Sequence, residues 1–207
     1  MKRKLFICLT LAAVLALALS LAGCAKPVET APEPEPEHAE PTQLVVPTEE
    51  EVTAAYQKAR EAYNWFDMTT MPLSDETVDV QAMTYNKVDY PGITTMAELE
   101  AYLKTIFTDE VVAELMALNQ ANQYWHYDDI DGALYALPAD RGGDIFKGDE
   151  SYEVIVNGGD EIDYRVSVEV YDDPATMNVV DTEVYDFMYV DPAGNGEWRF
   201  ANFESVR

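Results

Sequence analysis

Ile162-Asp163-Tyr164-Arg165-Val166-Ser167-Val168-Glu169-Val170 alternates apolar and polar residues without a break. A period of two sends Ile162, Tyr164, Val166, Val168 and Val170 to one face of an extended chain and the charged residues to the other. This is the pattern of a half-buried antiparallel strand. Its neighbours read the same way. Tyr152, Val154 and Val156 alternate before the turn Asn157-Gly158-Gly159, and Val179 to Val190 gives another long strand after Asp172-Asp173-Pro174. Asp191-Pro192-Ala193-Gly194-Asn195-Gly196 turns into a last strand predicted over Glu197 to Val206, carrying Trp198, Phe200 and Phe203. Upstream, Tyr124 to Tyr127 and Ala133 to Leu137 flank Asp131-Gly132, a strong two-residue hairpin signal.

Before Tyr124 the period is 3.6 instead of 2. Thr48-Glu49-Glu50-Glu51 is a capping box, followed by Val52, Ala55, Tyr56, Ala59 and Tyr63 at helical spacing, with a predicted end near Asn64. Trp65 to Leu73 holds several apolar side chains ahead of and around Pro72 and is expected to be a non-helical lid or crossover. Val80 to Val88 reads as a strand with Met83 and Tyr85 alternating, and Pro91-Gly92 as a turn. Thr95-Met96-Ala97-Glu98 is a second capping box leading to Leu99, Tyr102, Leu103 and Ile106. Thr108-Asp109-Glu110 opens a third helix that should bury Val111, Val112, Leu115, Met116 and Leu118. Helices first and an antiparallel meander after them make an α+β domain, one domain over residues 48–207.

The N-terminus has a different composition. Lys2, Arg3 and Lys4 precede an apolar run from Leu5 to Leu21, and the run closes on Leu21-Ala22-Gly23-Cys24. That order is an export signal over residues 1–23, and its ending resembles the lipobox of bacterial lipoproteins, in which the cysteine sulfur receives a diacylglycerol. A plain transmembrane anchor is the alternative, because about 17 apolar residues nearly span a bilayer. Residues 24–47 then read as the lipidated Cys24 and a disordered Pro/Glu linker. Ala31-Pro32-Glu33-Pro34-Glu35-Pro36-Glu37 favours an extended, self-repelling stalk in which His38 is simply solvated. The expected location is outside the cytoplasm, anchored to the cell membrane by lipid. The only other cysteine, Cys8, lies in the signal, so the mature chain has no thiol for a disulfide, a nucleophile or a thiolate metal site.

Charge narrows the partners. The chain carries 39 acids against 13 bases. Nucleic acid and anionic lipid headgroups would be repelled, and a charged partner should present a basic face. Catalytic parts are scarce. His126 is the one histidine outside the linker, and it sits between Trp125 and Tyr127 where a packed or hydrogen-bonded ring is expected. Gly-x-Ser-x-Gly, His-Glu-x-x-His and Gly-x-x-x-x-Gly-Lys patterns do not occur. Carboxylates abound, yet no spacing picks out the pair of a glycosidase. Asp128-Asp129-Ile130-Asp131-Gly132 invites comparison with a calcium loop, but aligning Gly132 with the sixth position puts Tyr127 at the first ligand and Pro138 at the twelfth. No enzyme activity, cofactor or metal is expected. The dense acidic group Asp128, Asp129, Asp131, Asp140, Asp144, Asp149 and Glu150 is the candidate partner-binding region, since loops carry binding residues and crowded like charges are relieved by a basic partner.

Tyr85-Asn86-Lys87-Val88, Thr95-Met96 with the helix through Leu103 to Phe107, Gly132-Ala133-Leu134-Tyr135 and Ala139-Asp140-Arg141-Gly142 together resemble the exported inhibitors of peptidoglycan DL-endopeptidases, the IseA type. The resemblance covers most of residues 50–165. It implies helices packed on a curved antiparallel sheet with a central cleft and a mobile acidic loop region. It also implies a non-catalytic protein that covers the cysteine–histidine cleft of an NlpC/P60-type cell-wall hydrolase, with the acidic loops after Leu137 facing a basic rim; the protein itself is expected to be a monomer. A lipobox and a stalk stand here in place of a simple secretory signal, which suggests action near the membrane. The other reading is a non-catalytic ligand- or protein-binding envelope lipoprotein, with the aromatic residues around Trp65, Tyr124 to Tyr127 and Trp198 lining a pocket.

Overall fold

Thr48 sets the start of the folded region. Its hydroxyl accepts the Glu51 N–H at 3.3 Å while the Glu51 carboxylate accepts the Thr48 N–H at 2.8 Å, so the capping box closes in both directions. The computed structural model describes residues 45–120 and 126–206. The predicted signal, Cys24, the linker as far as residue 44, and Tyr124 and Trp125 lie outside the described residues. From Thr48 runs α1 (Glu49–Asp67), which buries Val52, Tyr56, Ala59, Ala62 and Trp65. The helix continues past Asn64, so Trp65 and Phe66 are its last turn and not a lid. No breaking residue stands between Asn64 and Asp67, and the extra turn packs the Trp65 ring against Tyr90 and Tyr102 at centroid distances of 5.0 and 5.7 Å.

Beyond Pro72 lies a strand that the apolar pattern does not predict. Leu73 opens β1 (Leu73–Val80), which returns through Gln81 and Ala82 into β2 (Met83–Val88). Ser74-Asp75-Glu76-Thr77 hides the strand because β1 is at the edge of its sheet and has little to bury. The turn hides it too. Gln81 and Ala82 have φ of 49° and 66°, values that hairpins usually assign to Asn or Gly. Next come α2 (Met96–Leu103) and α3 (Asp109–Asn119). At α2 the Thr95 hydroxyl accepts the Glu98 N–H, but the Glu98 carboxylate reaches past Thr95 to the N–H and hydroxyl of Thr94, at 2.7 and 2.6 Å. The Met96 N–H is instead taken by Asp129 at 2.8 Å. On α3, Val111, Val112, Leu115 and Asn119 are buried, whereas Leu118 faces solvent.

The class is α+β, and its antiparallel strands divide between two four-stranded sheets. In the first, β1 and β2 are joined by β4 (Ala133–Ala136) and β3 (Tyr127–Ile130), in the order β1-β2-β4-β3. Ile130 pairs with Ala133 across Asp131-Gly132, as the hairpin signal predicts. The second sheet has the order β5-β6-β7-β8, with β5 (Lys147–Gly158), β6 (Glu161–Tyr171), β7 (Val179–Val190) and β8 (Arg199–Phe200). Ile162, Tyr164, Val166 and Val168 of β6 are fully buried. Tyr56 of α1 lies over that face, 4.9 Å from Tyr164 and 5.6 Å from Phe187, and Phe203 stacks on Phe187 at 4.6 Å. On the opposite face Arg165 holds Asp186 through two hydrogen bonds, at 2.7 and 3.1 Å, which lower the pKa of that carboxyl.

The last strand is shorter than predicted. Beyond Phe200 the Asn202 side chain takes over the backbone's role, accepting the Met188 N–H at 2.6 Å and donating to the Asp186 carbonyl at 2.9 Å. Phe203 and Val206 still reach the core. A buried hydroxyl joins α1 to the first sheet. Tyr127 donates to the Trp65 carbonyl at 3.0 Å and accepts the Met71 N–H at 2.9 Å, while its own backbone is held by both ends of the Asn119 amide. Tyr127→Phe therefore orphans a buried donor, and urea denaturation should show a loss of about 1–3 kcal/mol with an unchanged m-value.

Candidate functional site

The seven predicted partner-binding acids are distributed over both sheets and the connection between them. Asp128, Asp129 and Asp131 belong to the β3–β4 hairpin of the first sheet, Asp140 and Asp144 to the connection after it, and Asp149 and Glu150 to β5 of the second sheet. Several have local tasks. Asp129 caps α2 through the Met96 N–H, Asp131 occupies the turn with φ of 51°, and Asp144 accepts the Phe146 N–H at 3.0 Å. Asp140 is exposed and its backbone bridges Thr69. Next to it the Arg141 guanidinium donates to the Asp67 carbonyl and pairs with its carboxylate. Asp149 is exposed on an irregular stretch of β5.

Glu150 is turned inward: its side chain is 4% exposed, pairs with Arg60 of α1 at 2.8 Å and accepts the Tyr152 hydroxyl at 2.7 Å. Glu150 lies opposite Val168, on the core-facing side of β6. The signal was present in the sequence: Glu150, Tyr152, Val154 and Val156 share one period-two register, so Glu150 belongs with the inward set.

Two concavities lie near the chemistry-bearing residues. One, of about 480 Å³, is lined by Val45, Pro47, Glu51, Tyr189, Trp198 and Arg199. Glu51 there is committed to the Thr48 cap and Glu197 beside it to Arg199 at 2.9 Å, so its acids are not a poised pair. The Trp198 indole N–H is buried with no acceptor among the described residues. The other, of about 250 Å³, is lined by Phe66, Leu118, His126, Asp140 and Arg141. His126 Nε2 contacts the Trp65 carbonyl at 3.1 Å, so that nitrogen carries the proton. Burial lowers the imidazole pKa, against a smaller opposing pull from that carbonyl. The ring is thus tied to the backbone at the end of α1. Among the described aromatic residues expected to line a pocket, Trp65 and Tyr127 are buried in the core, and Trp198 borders a groove. No group of three or more His, Cys, Asp or Glu side chains is placed to hold a metal among the described residues.

Sequence reasoning missed one surface. Ile145, Phe146, Met177, Val179 and Val180 are all exposed, and strand pairing gathers them at one end of the second sheet. Their signal was apolar residues flanking the ends of strands in otherwise acidic loops. No protein-family model matches the chain, and no curated protein matches it.

The Arg60–Glu150 pair yields a prediction. Arg60→Met keeps the apolar stem but leaves a carboxylate facing the core, and should destabilise the fold by about 2–3 kcal/mol in urea denaturation, a partly exposed pair costing less than a fully buried one. Adding Glu150→Gln to Arg60→Met should recover part of that loss, since the cost lies in the uncompensated charge.

Proposed function

We propose that this is a membrane-tethered extracytoplasmic protein that binds and inhibits a peptidoglycan DL-endopeptidase by covering its active-site cleft. The observation that carries the reading is how three stretches of the family resemblance lie together, with the fourth, Ala139 to Gly142, held to the end of α1. Asn86 and Lys87 of β2 pair with Ala136 and Tyr135 of β4. The Leu134 N–H donates to the Thr94 carbonyl at 2.7 Å, at the entry to α2, and the Arg141 N–H donates to the Met68 carbonyl at 2.8 Å. Segments far apart in the chain thus form one contiguous body, as parts of a shared scaffold should. The acidic balance supports the reading as well, since 39 acids against 13 bases attract an enzyme whose cleft has a basic rim. In this reading the protein is no enzyme: it works as a monomer, without cofactor, by occlusion.

A second reading, a ligand- or protein-binding envelope lipoprotein, draws on the Trp198 groove with its unpaired indole N–H. A small ligand that raises the melting temperature would favour it.

Two outcomes test the proposal. Purified full-length protein at equimolar or higher ratio should slow digestion of peptidoglycan by a cysteine-type DL-endopeptidase. Inhibition should weaken as ionic strength rises past about 0.1 M, where the screening length falls to about 10 Å; digestion unaffected by excess protein contradicts the reading. Mass spectrometry of the N-terminal peptide from membranes should find diacylglycerol on Cys24, and Cys24→Ala should move the protein out of the membrane fraction.

A further inference from the structure

The exposed apolar residues at one end of the second sheet are neighbours by hydrogen bonding. The Tyr171 N–H donates to the Phe146 carbonyl at 2.7 Å, and Tyr171 pairs with Val179 across β6 and β7. Adjacent strands lie about 4.8 Å apart, so Phe146 and Val179 sit about 10 Å apart with Tyr171 between them. Ile145, Met177 and Val180 extend the patch and are 69%, 64% and 57% exposed. Tyr171 is held in place by a glycine. A Cβ at Gly148 would collide with the Tyr171 ring, so the ring lies across the neighbouring strand where only Gly leaves room, the arrangement by which an aromatic covers a glycine in a sheet. Tyr171, Val179 and Val180 lie on strands, and Ile145, Phe146 and Met177 on the turns that adjoin them, so exposed apolar residues gather at this end of the sheet.

Its rim is acidic. Asp144, Asp172, Asp173 and Asp181 stand at the strand ends and loop, and each carboxylate is oriented by a local hydrogen bond, to Phe146 N–H, Asn178 side chain, Ala175 N–H and Thr182 N–H respectively. Residues 166–198 contain eight acids and no lysine or arginine. The nearest cation, Lys147, is turned inward to the Tyr185 hydroxyl, the Val206 carbonyl and Glu183. Burial pulls its pKa down, but those partners outweigh it and the pKa is raised, so it stays charged and engaged. An apolar centre with an all-acidic rim selects its occupant. A second copy of this chain would bring acid against acid, and an anionic bilayer would be repelled in the same way.

We infer that Phe146, Tyr171, Met177, Val179 and Val180 form the docking surface for a partner protein that presents an apolar contact ringed by Lys and Arg. Resting on the function proposed above, that partner is the endopeptidase. The central apolar contacts hold the complex and the acidic rim accelerates and orients encounter. The β3–β4 hairpin acids lie on the other sheet and contribute little.

The test measures binding and digestion separately, using purified full-length protein and the DL-endopeptidase. Phe146→Glu and Val180→Glu, each checked for an unchanged melting temperature, should weaken binding at least about tenfold and relieve inhibition to the same degree. Met177→Glu provides a third variant, on a loop, in case a strand substitution perturbs folding. Asp75→Asn, exposed on the edge strand β1 of the first sheet, should leave both within about twofold of the parent. If the parent binds and inhibits while all three tip variants match it, the docking surface is wrong and the functional reading stands. If the parent neither binds nor inhibits, both fall.

Discussion

The burial of one face of β6 against α1 is the contact on which the rest of the structure depends. Ile162, Tyr164, Val166 and Val168 have no solvent exposure, and Tyr56 of α1 packs on Tyr164 and on the neighbouring Phe187. Burying each such side chain is worth about 1.5–3 kcal/mol, so this single face contributes on the order of the net stability of a domain. Nothing covalent assists it, because the only cysteines are Cys8 and Cys24. Self-repulsion among the many carboxylates opposes it. The core must therefore be assembled from several directions, and it is: α2 and α3 bring Leu99, Leu103, Val112 and Leu115, and the C-terminal segment brings Phe203 and Val206.

Committing that face to the core determines what is left outside. The opposite face of β6 carries Arg165, which engages Asp186 and Glu153 and ties β5, β6 and β7 together. Past Arg165 no lysine or arginine occurs until Arg199, so the far end of the sheet is left acidic around its apolar residues. The first sheet has the opposite character. Asp129 caps a helix and Asp131 occupies a turn there, and its centre is the Tyr127 hydroxyl buried between Trp65 and Met71. One sheet is a scaffold; the other ends in an unsatisfied surface.

The sequence was most legible where one physical requirement set the pattern. The β6 alternation, the Asp131-Gly132 hairpin and the Thr48 capping box appear where their residues place them, and the bounds of β7, Val179–Val190, match the apolar pattern. It was least legible where context decided. The β1 edge strand has too little to bury to show a period, and the turn at Gln81 and Ala82 lacks the usual residues. The C-terminal segment reads as strand by composition, but Asn202 replaces the backbone ladder with its side chain. For the candidate site the difficulty was counting charges without knowing which way each points. Glu150 turns inward to Arg60, while Phe146 and Val180, apolar and adjacent to strand ends, turn out.

Amide hydrogen exchange on the full-length protein, with and without the DL-endopeptidase, tests the proposed docking most directly. New protection is expected in residues 143–150 and 171–184, with the β3–β4 hairpin exchanging as in the free protein. Protection confined to the hairpin and residues 137–142, or no change anywhere under conditions where digestion is inhibited, would contradict it.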